Sequence, residues 1–187
     1  MRVFIAICLD EKIKKGLLAI QKNLKIDALS PKWQKDCHIT LKFLGEITKE
    51  RLDRVLDVCH KDALACKSFV VSFGFLGAFP KPEYPRVIWL GIEKGRGYIE
   101  FLASSLDEHL SKIGFAKEER GYFPHITLAR IRNIQRTSLL FPYLKEKFIL
   151  DEMSVDKIKV IESKLTPTGP IYTIIKDFPL RQPDLNL

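Results

Sequence analysis

The tetrapeptide His-Ile-Thr-Leu occurs twice in this chain, at His38-Ile39-Thr40-Leu41 and at His125-Ile126-Thr127-Leu128. Side chains alternate between faces along an extended strand, so His38 and Thr40 share one face and Ile39 and Leu41 the other. The same holds for His125 and Thr127. Each segment can bury an apolar face and present an imidazole beside a hydroxyl. Histidine changes charge near neutral pH, so one of two facing rings can be neutral while the other is protonated. The neutral ring takes a proton from water, and the charged ring gives one to a leaving oxygen. Threonine hydroxyls can bond non-bridging phosphate oxygens and steady the charge that develops on them. This set suits cleavage of a phosphodiester, with no metal and no cofactor required.

Only four histidines are present, and two of them sit in these identical tetrapeptides. The others, His60 and His109, fall in expected helices without threonine partners and read as surface or boundary residues. No Gly-x-Ser-x-Gly occurs, so a serine nucleophile has no support. Cys37 adjoins His38 but should point to the opposite face as a packed thiol. Phe43 and Arg130 each stand five positions after their histidine. A ring and a guanidinium can both lie flat against a nucleobase, and arginine can also hold phosphate. Their odd offset takes them off the His/Thr face of an ideal strand. Reaching the substrate requires a bulge or a strand end; otherwise Phe43 is core and Arg130 is ordinary surface.

The elements that must carry these residues repeat as well. Arg2-Val3-Phe4-Ile5-Ala6-Ile7 resembles Arg86-Val87-Ile88-Trp89-Leu90-Gly91-Ile92, and a helical pattern then a His-Ile-Thr-Leu segment follows each. The histidines lie 87 positions apart (125 − 38) and the Arg-Val pairs 84 apart (86 − 2). One strand–helix–strand plan is used twice. Asp10 is a good N-cap, and Ile13, Leu17, Ile20 and Leu24 follow at helical spacing. A second helix begins near Thr48, with Leu52, Val55, Leu56, Cys59 and Ala63 inward. A third runs from about Gly97 to Gly114, with Ile99, Leu102, Leu106, Leu110 and Ile113 inward and Gly114 as a left-handed stop. Strands are expected at 2–9, 38–44, 69–76, 86–93, 125–131, 148–162 and 171–176. A short helix near 137–146 would be interrupted by Pro142. Residues 77–82 and 166–170 read as turns. This mixture predicts an α+β fold with antiparallel sheet, in one domain spanning 1–187.

Lys and Arg total 31 against 23 Asp and Glu, a net charge of +8, which favours a polyanionic partner as well as solubility. The four cysteines form no Cys-x-x-Cys pair, so neither a zinc site nor a disulfide framework is expected. Reduced thiols fit a cytoplasmic protein. The apolar start is short and runs into Asp10-Glu11-Lys12, which reads as a first strand and not a signal peptide. No stretch approaches the roughly 20 apolar residues of a membrane span.

The chain resembles the two-histidine (2H) phosphoesterases, and within them the RNA 2′,3′-cyclic phosphodiesterase branch, once described as 2′-5′ RNA ligases. The resemblance runs through the opening strand, Trp33 to Glu46, Gly77-Ala78-Phe79-Pro80, Val87-Ile88-Trp89-Leu90-Gly91, Pro124 to Arg130, Ser163-Lys164-Leu165 and Gly169-Pro170-Ile171-Tyr172. It implies a bilobal fold: two pseudo-symmetric lobes, each with an antiparallel sheet and helices, and the site in the groove between them. It implies hydrolysis of an RNA 2′,3′-cyclic phosphate end to a 2′-phosphate, on tRNA-like fragments among others. It implies His38 as proton donor and His125 as proton acceptor, with Thr40 and Thr127 beside them in the two His-x-Thr motifs. Nothing in the local sequence independently sets the donor–acceptor direction. Cys37 and Lys42 read as permissive variations around the first motif. A monomer is the default. Two other functions stay open at this point: a phosphodiesterase for small nucleotide or metabolite cyclic phosphates, and a non-catalytic RNA-binding module.

Overall fold

Residues 1–167 and 169–182 are described by the computed structural model, leaving aside the side chain of Lys145. The first half runs β1 (Arg2–Cys8), α1 (Glu11–Asn23), β2 (Pro31–Trp33), β3 (His38–Glu46) and α2 (Lys49–Ala65). Then come β4 (Phe69–Val71), β5 (Phe73–Phe79), β6 (Val87–Ile92), α3 (Arg96–Lys112) and β7 (His125–Ile131). The chain ends with β8 (Met153–Val155), β9 (Lys157–Thr166) and β10 (Gly169–Pro179).

Local chemistry explains the helix starts. The Asp10 carboxylate accepts from the Ile13 amide at 2.8 Å, and the Thr48 side chain accepts from the Arg51 amide. The expected stripes of α1 and α2 are buried, with Leu56 only half-buried. On α3 the stripe is buried except for Ile113, which is half-buried. Its start differs by one residue from expectation. Gly95 caps it at φ 77, where an added Cβ would sit 2.5 Å from the Val70 carbonyl oxygen. Gly114 takes φ 92 just past the helix end, as the sequence predicts.

The strands form one large antiparallel sheet in the order β10-β9-β1-β3-β7-β6-β5, with β2 added on β7. β3 and β7 meet at one residue pair, Ile39 opposite Ile126. That pair marks an approximate two-fold axis. On one side stand β3, β1 and β9; on the other stand β7, β6 and β5. The bilobal expectation holds in this form: two repeated halves whose sheets join at a seam between the two motif strands. The helices cover one side of the sheet over a single large apolar core. A small cluster of Phe4, Ala6 and Ile161 floors the opposite side.

Three expectations are corrected. The strand expected at 69–76 is two strands, because the chain leaves a small β4–β8 sheet at Ser72 and enters the large sheet as β5, which stays paired with β6 through Phe79, past the point where the turn expected at 77–82 would begin. The strand expected at 148–162 likewise becomes β8 and β9, which belong to different sheets. The segment expected at 171–176 is the longer β10, which closes a hairpin with β9. The turn expected at 166–170 joins that hairpin; its Thr168 lies outside the described residues. The segment Thr137–Lys145 is 3₁₀ helix with Pro142 inside it.

Candidate active site

The Ile39–Ile126 pairing decides the geometry of the site. In that antiparallel register His38 stands beside Thr127 and Thr40 beside His125 across the seam. The two histidines are then diagonal neighbours, with Cα atoms about 7–8 Å apart. That spacing leaves room for a phosphate between the rings. His38, Thr40, His125 and Thr127 all line one cleft of about 440 Å³.

Phe43 and Arg130 line the same cleft. The device that brings them there is a pair of matched β-bulges. On β1, Ile5 and Ala6 are consecutive, but their partners on β3 are Lys42 and Thr40, so Leu41 is extra. On β6, Ile88 and Trp89 are consecutive, but their partners on β7 are Ala129 and Thr127, so Leu128 is extra. A bulge reverses which face the following residues occupy. The burial patterns agree: from His38 to Phe43, and again from His125 to Arg130, the first and third residues are half-buried, the second, fourth and fifth buried, and the sixth exposed. Phe43 is 60% exposed, so it is not core.

Both imidazoles are oriented the same way. His38 Nδ1 lies 2.9 Å from the Asp36 carbonyl oxygen and His125 Nδ1 lies 2.8 Å from the Phe123 carbonyl oxygen. A carbonyl only accepts, so each Nδ1 carries the proton and each Nε2 is left for the cleft. Aromatic rings fix the imidazole planes. Phe4 lies 4.9 Å and Tyr172 5.4 Å from the His38 ring, and Phe79 lies edge-on 5.1 Å from the His125 ring. The indole of Trp89 packs against Phe79 and Phe123 around His125. It reaches that position by crossing Gly77, where a Cβ would come within 2.1 Å of the ring.

Burial lowers the pKa of both histidines below the ordinary 6.5. At His38 the Asp36 carbonyl and carboxylate oppose that effect, and the nearby His125 adds to it. At His125 only the Phe123 carbonyl opposes burial. Cys37 is buried, its thiol donating to the Gln34 and Thr127 carbonyls, and burial pushes its pKa up to about 11. It is a packed thiol, as expected. No cluster of three or more metal-ligating side chains stands among the described residues.

Several site residues escaped the sequence reading. Lys32 and Gln34 reach the cleft from and just after β2, a strand too short to show periodicity. Ser163, Leu165 and Tyr172 reach it from the β9–β10 hairpin. Lys42 is no permissive variation. It is buried and donates to Asp107, to the Ala116 carbonyl at 2.8 Å and to Glu118 at 3.2 Å. His109 is also more than a surface residue: its Nδ1 lies 2.7 Å from the buried Asp62 carboxylate, tying α3 to α2.

A duplicated α/β fold that brings two imidazoles and two hydroxyls into one cleft defines a two-histidine phosphoesterase architecture. The comparisons agree: the sequence model of the LigT-like phosphoesterases matches residues 7–89 and again 90–172. The chain belongs to the LigT-like phosphoesterase family. A Methanocaldococcus jannaschii protein named RNA 2′,3′-cyclic phosphodiesterase is 34% identical over 180 residues, covering 95% of this chain and all of the relative. An Archaeoglobus fulgidus protein of the same name is 35% identical, covering 95% of this chain and 99% of its own. A Thermus thermophilus crystal structure superposes with a TM-score of 0.83 at 28% identity, covering 97% of this chain and 99% of that one. Escherichia coli LigT complexed with 3′-AMP shares the fold, with a TM-score of 0.81 at 21% identity, covering 96% of this chain and 97% of that one.

Proposed function

We propose that this protein hydrolyses the 2′,3′-cyclic phosphate end of RNA to a 2′-phosphate, by metal-free acid–base catalysis between His38 and His125. The observation that carries this reading is the pair of imidazoles with matched Nδ1 anchors, both lining one cleft and set diagonally across the Ile39–Ile126 pair. His38 protonates the leaving 3′ oxygen and His125 takes a proton from the attacking water. The Asp36 carboxylate favours a charged His38 and has no counterpart at His125, which supports this direction. Thr40 and Thr127 bond the non-bridging oxygens; Phe43 and Arg130 hold base and phosphate. The chain's own groups account for both proton transfers, so no step calls for a metal. Relatives named RNA 2′,3′-cyclic phosphodiesterase and the net charge of +8 support RNA as substrate. No helix among the described residues is long and apolar enough to cross a membrane.

The test is an RNA ending in 2′,3′-cyclic phosphate, incubated with the protein and excess chelator. The expected product is the 2′-phosphate, at the rate seen without chelator. A 3′-phosphate product, or none, rejects the reading; loss of rate with chelator rejects its metal-free part.

A pH profile adds a second check. kcat/KM reports the free protein, where burial holds both imidazoles below 6.5. One ring must be charged and the other neutral, so kcat/KM should peak on the acid side of pH 6.5 and decline through neutrality. A bound phosphodiester anion favours charged imidazole, so the kcat profile should sit at higher pH. A kcat/KM still rising between pH 7 and 8 contradicts the assignment.

A further inference from the structure

The cleft does not end at His125. A groove of about 750 Å³ continues from it and shares Thr40, Phe43 and His125 with it. Its walls include Phe79, Tyr122 and Phe123, and its lining also holds Arg86 and Arg120, both exposed. Neither guanidinium has an ion pair among the described residues. The groove's one acidic residue, Glu118, is paired with Lys42 at 3.2 Å.

We infer that this groove is the subsite for the nucleotide on the 5′ side of the reacting end, its base among the aromatic walls and its phosphate on Arg86 and Arg120. The inference rests on the hydrolytic reading above and sharpens its substrate to an oligonucleotide. The cleft of about 440 Å³ lies in the size range that holds one small ligand, here the terminal nucleotide. The adjoining groove therefore has room for a second unit. Aromatic walls alone would suit a base of any origin, because every base has a face to stack. Two unpaired guanidiniums call for a phosphate as well. A nucleoside cyclic phosphate has its only phosphate between the histidines and leaves both arginines idle. An oligomer supplies the missing internucleotide phosphodiester. Continuity with the cleft and opposite charge thus favour an RNA chain over a small metabolite.

The experiment compares kcat/KM of the full chain on adenosine 2′,3′-cyclic phosphate and on a dinucleotide ending in the same group. Stacking of one base predicts a preference for the dinucleotide of about tenfold or more. The phosphate contacts add to that preference, so the double variant Arg86→Gln, Arg120→Gln should narrow it severalfold, leaving the part due to stacking, while melting like the parent. Equal efficiency on the two substrates in the parent overturns the subsite but leaves the hydrolytic reading standing. So does a variant that keeps the full preference, or one that slows both substrates alike. Turnover of neither substrate overturns the hydrolytic reading. The subsite is then judged by binding of the dinucleotide 2′-phosphate: binding that depends on the arginines supports it, and binding indifferent to them overturns it.

Discussion

Replacing His125 by Ala is expected to lower kcat on a cyclic-ended RNA roughly a hundred- to ten-thousandfold, and replacing His38 by Ala to do the same. Each imidazole moves one proton of the same reaction, so neither can cover for the other. The double variant should be little worse than either single one, because groups acting as a unit do not add. Folding should survive. Both rings are half-buried at the cleft wall, not packed within the main core. Melting curves beside the kinetics separate loss of catalysis from loss of structure. Two singly substituted proteins with full activity would sink the acid–base assignment.

The same variants resolve the direction of proton transfer. A nucleoside 4-nitrophenyl phosphodiester releases nitrophenolate, which needs no proton to leave. His38→Ala should therefore recover much of its rate on that substrate, while His125→Ala should stay slow because the water still needs a base. Recovery in His125→Ala instead would reverse the two roles.

The paired tetrapeptides were readable because a repeat of His and Thr at strand spacing has few structural explanations. The helices were readable because Ile13, Leu17 and Ile20, or Leu102, Leu106 and Leu110, recur at the period of one buried face. The bulges were not. Leu41 and Leu128 are ordinary strand residues, and nothing in a leucine says that it will be skipped in a register. So the sequence left Phe43 and Arg130 undecided, although the pairing now puts both in the cleft. The carbonyls that orient the imidazoles leave no side-chain trace, since any residue at 36 or 123 could supply one. The split at Ser72 was hidden because an apolar alternation continues through it from one sheet into another. Lys42 was misjudged because lysine is rarely buried without a partner, and its partners lie more than sixty positions away.

Replacing Lys42 by Ala is the other substitution with a large expected effect, and its cost falls first on stability. Lys42 stands at the β3 bulge, where β7 has Ala129 in the equivalent place. Its ammonium crosses from the first half of the repeat to α3 and to the segment that leads into β7. Removing it leaves the Ala116 carbonyl without its lysine donor and Asp107 without its ion pair, with only the charge of Lys117 nearby. Breaking a fully buried pair costs about 3–5 kcal/mol. Here the Asp107 and Glu118 side chains are 21% and 52% exposed, so water screens part of the loss. The expected cost is about 2–3 kcal/mol after that discount, read as a lower denaturant midpoint with an unchanged slope. Lys42→Met should lose less, because it keeps the side-chain volume. Activity should follow stability for a specific reason. The anchored segment carries Tyr122, whose hydroxyl donates to the Thr40 carbonyl at 2.8 Å, and Phe123, whose carbonyl orients His125. Well below the melting temperature, Lys42→Met should therefore show a reduced kcat with KM moved less. An unfolding free energy within about 0.5 kcal/mol of the parent for Lys42→Ala would place it among ordinary surface substitutions and show that this lysine does not tie the two halves together.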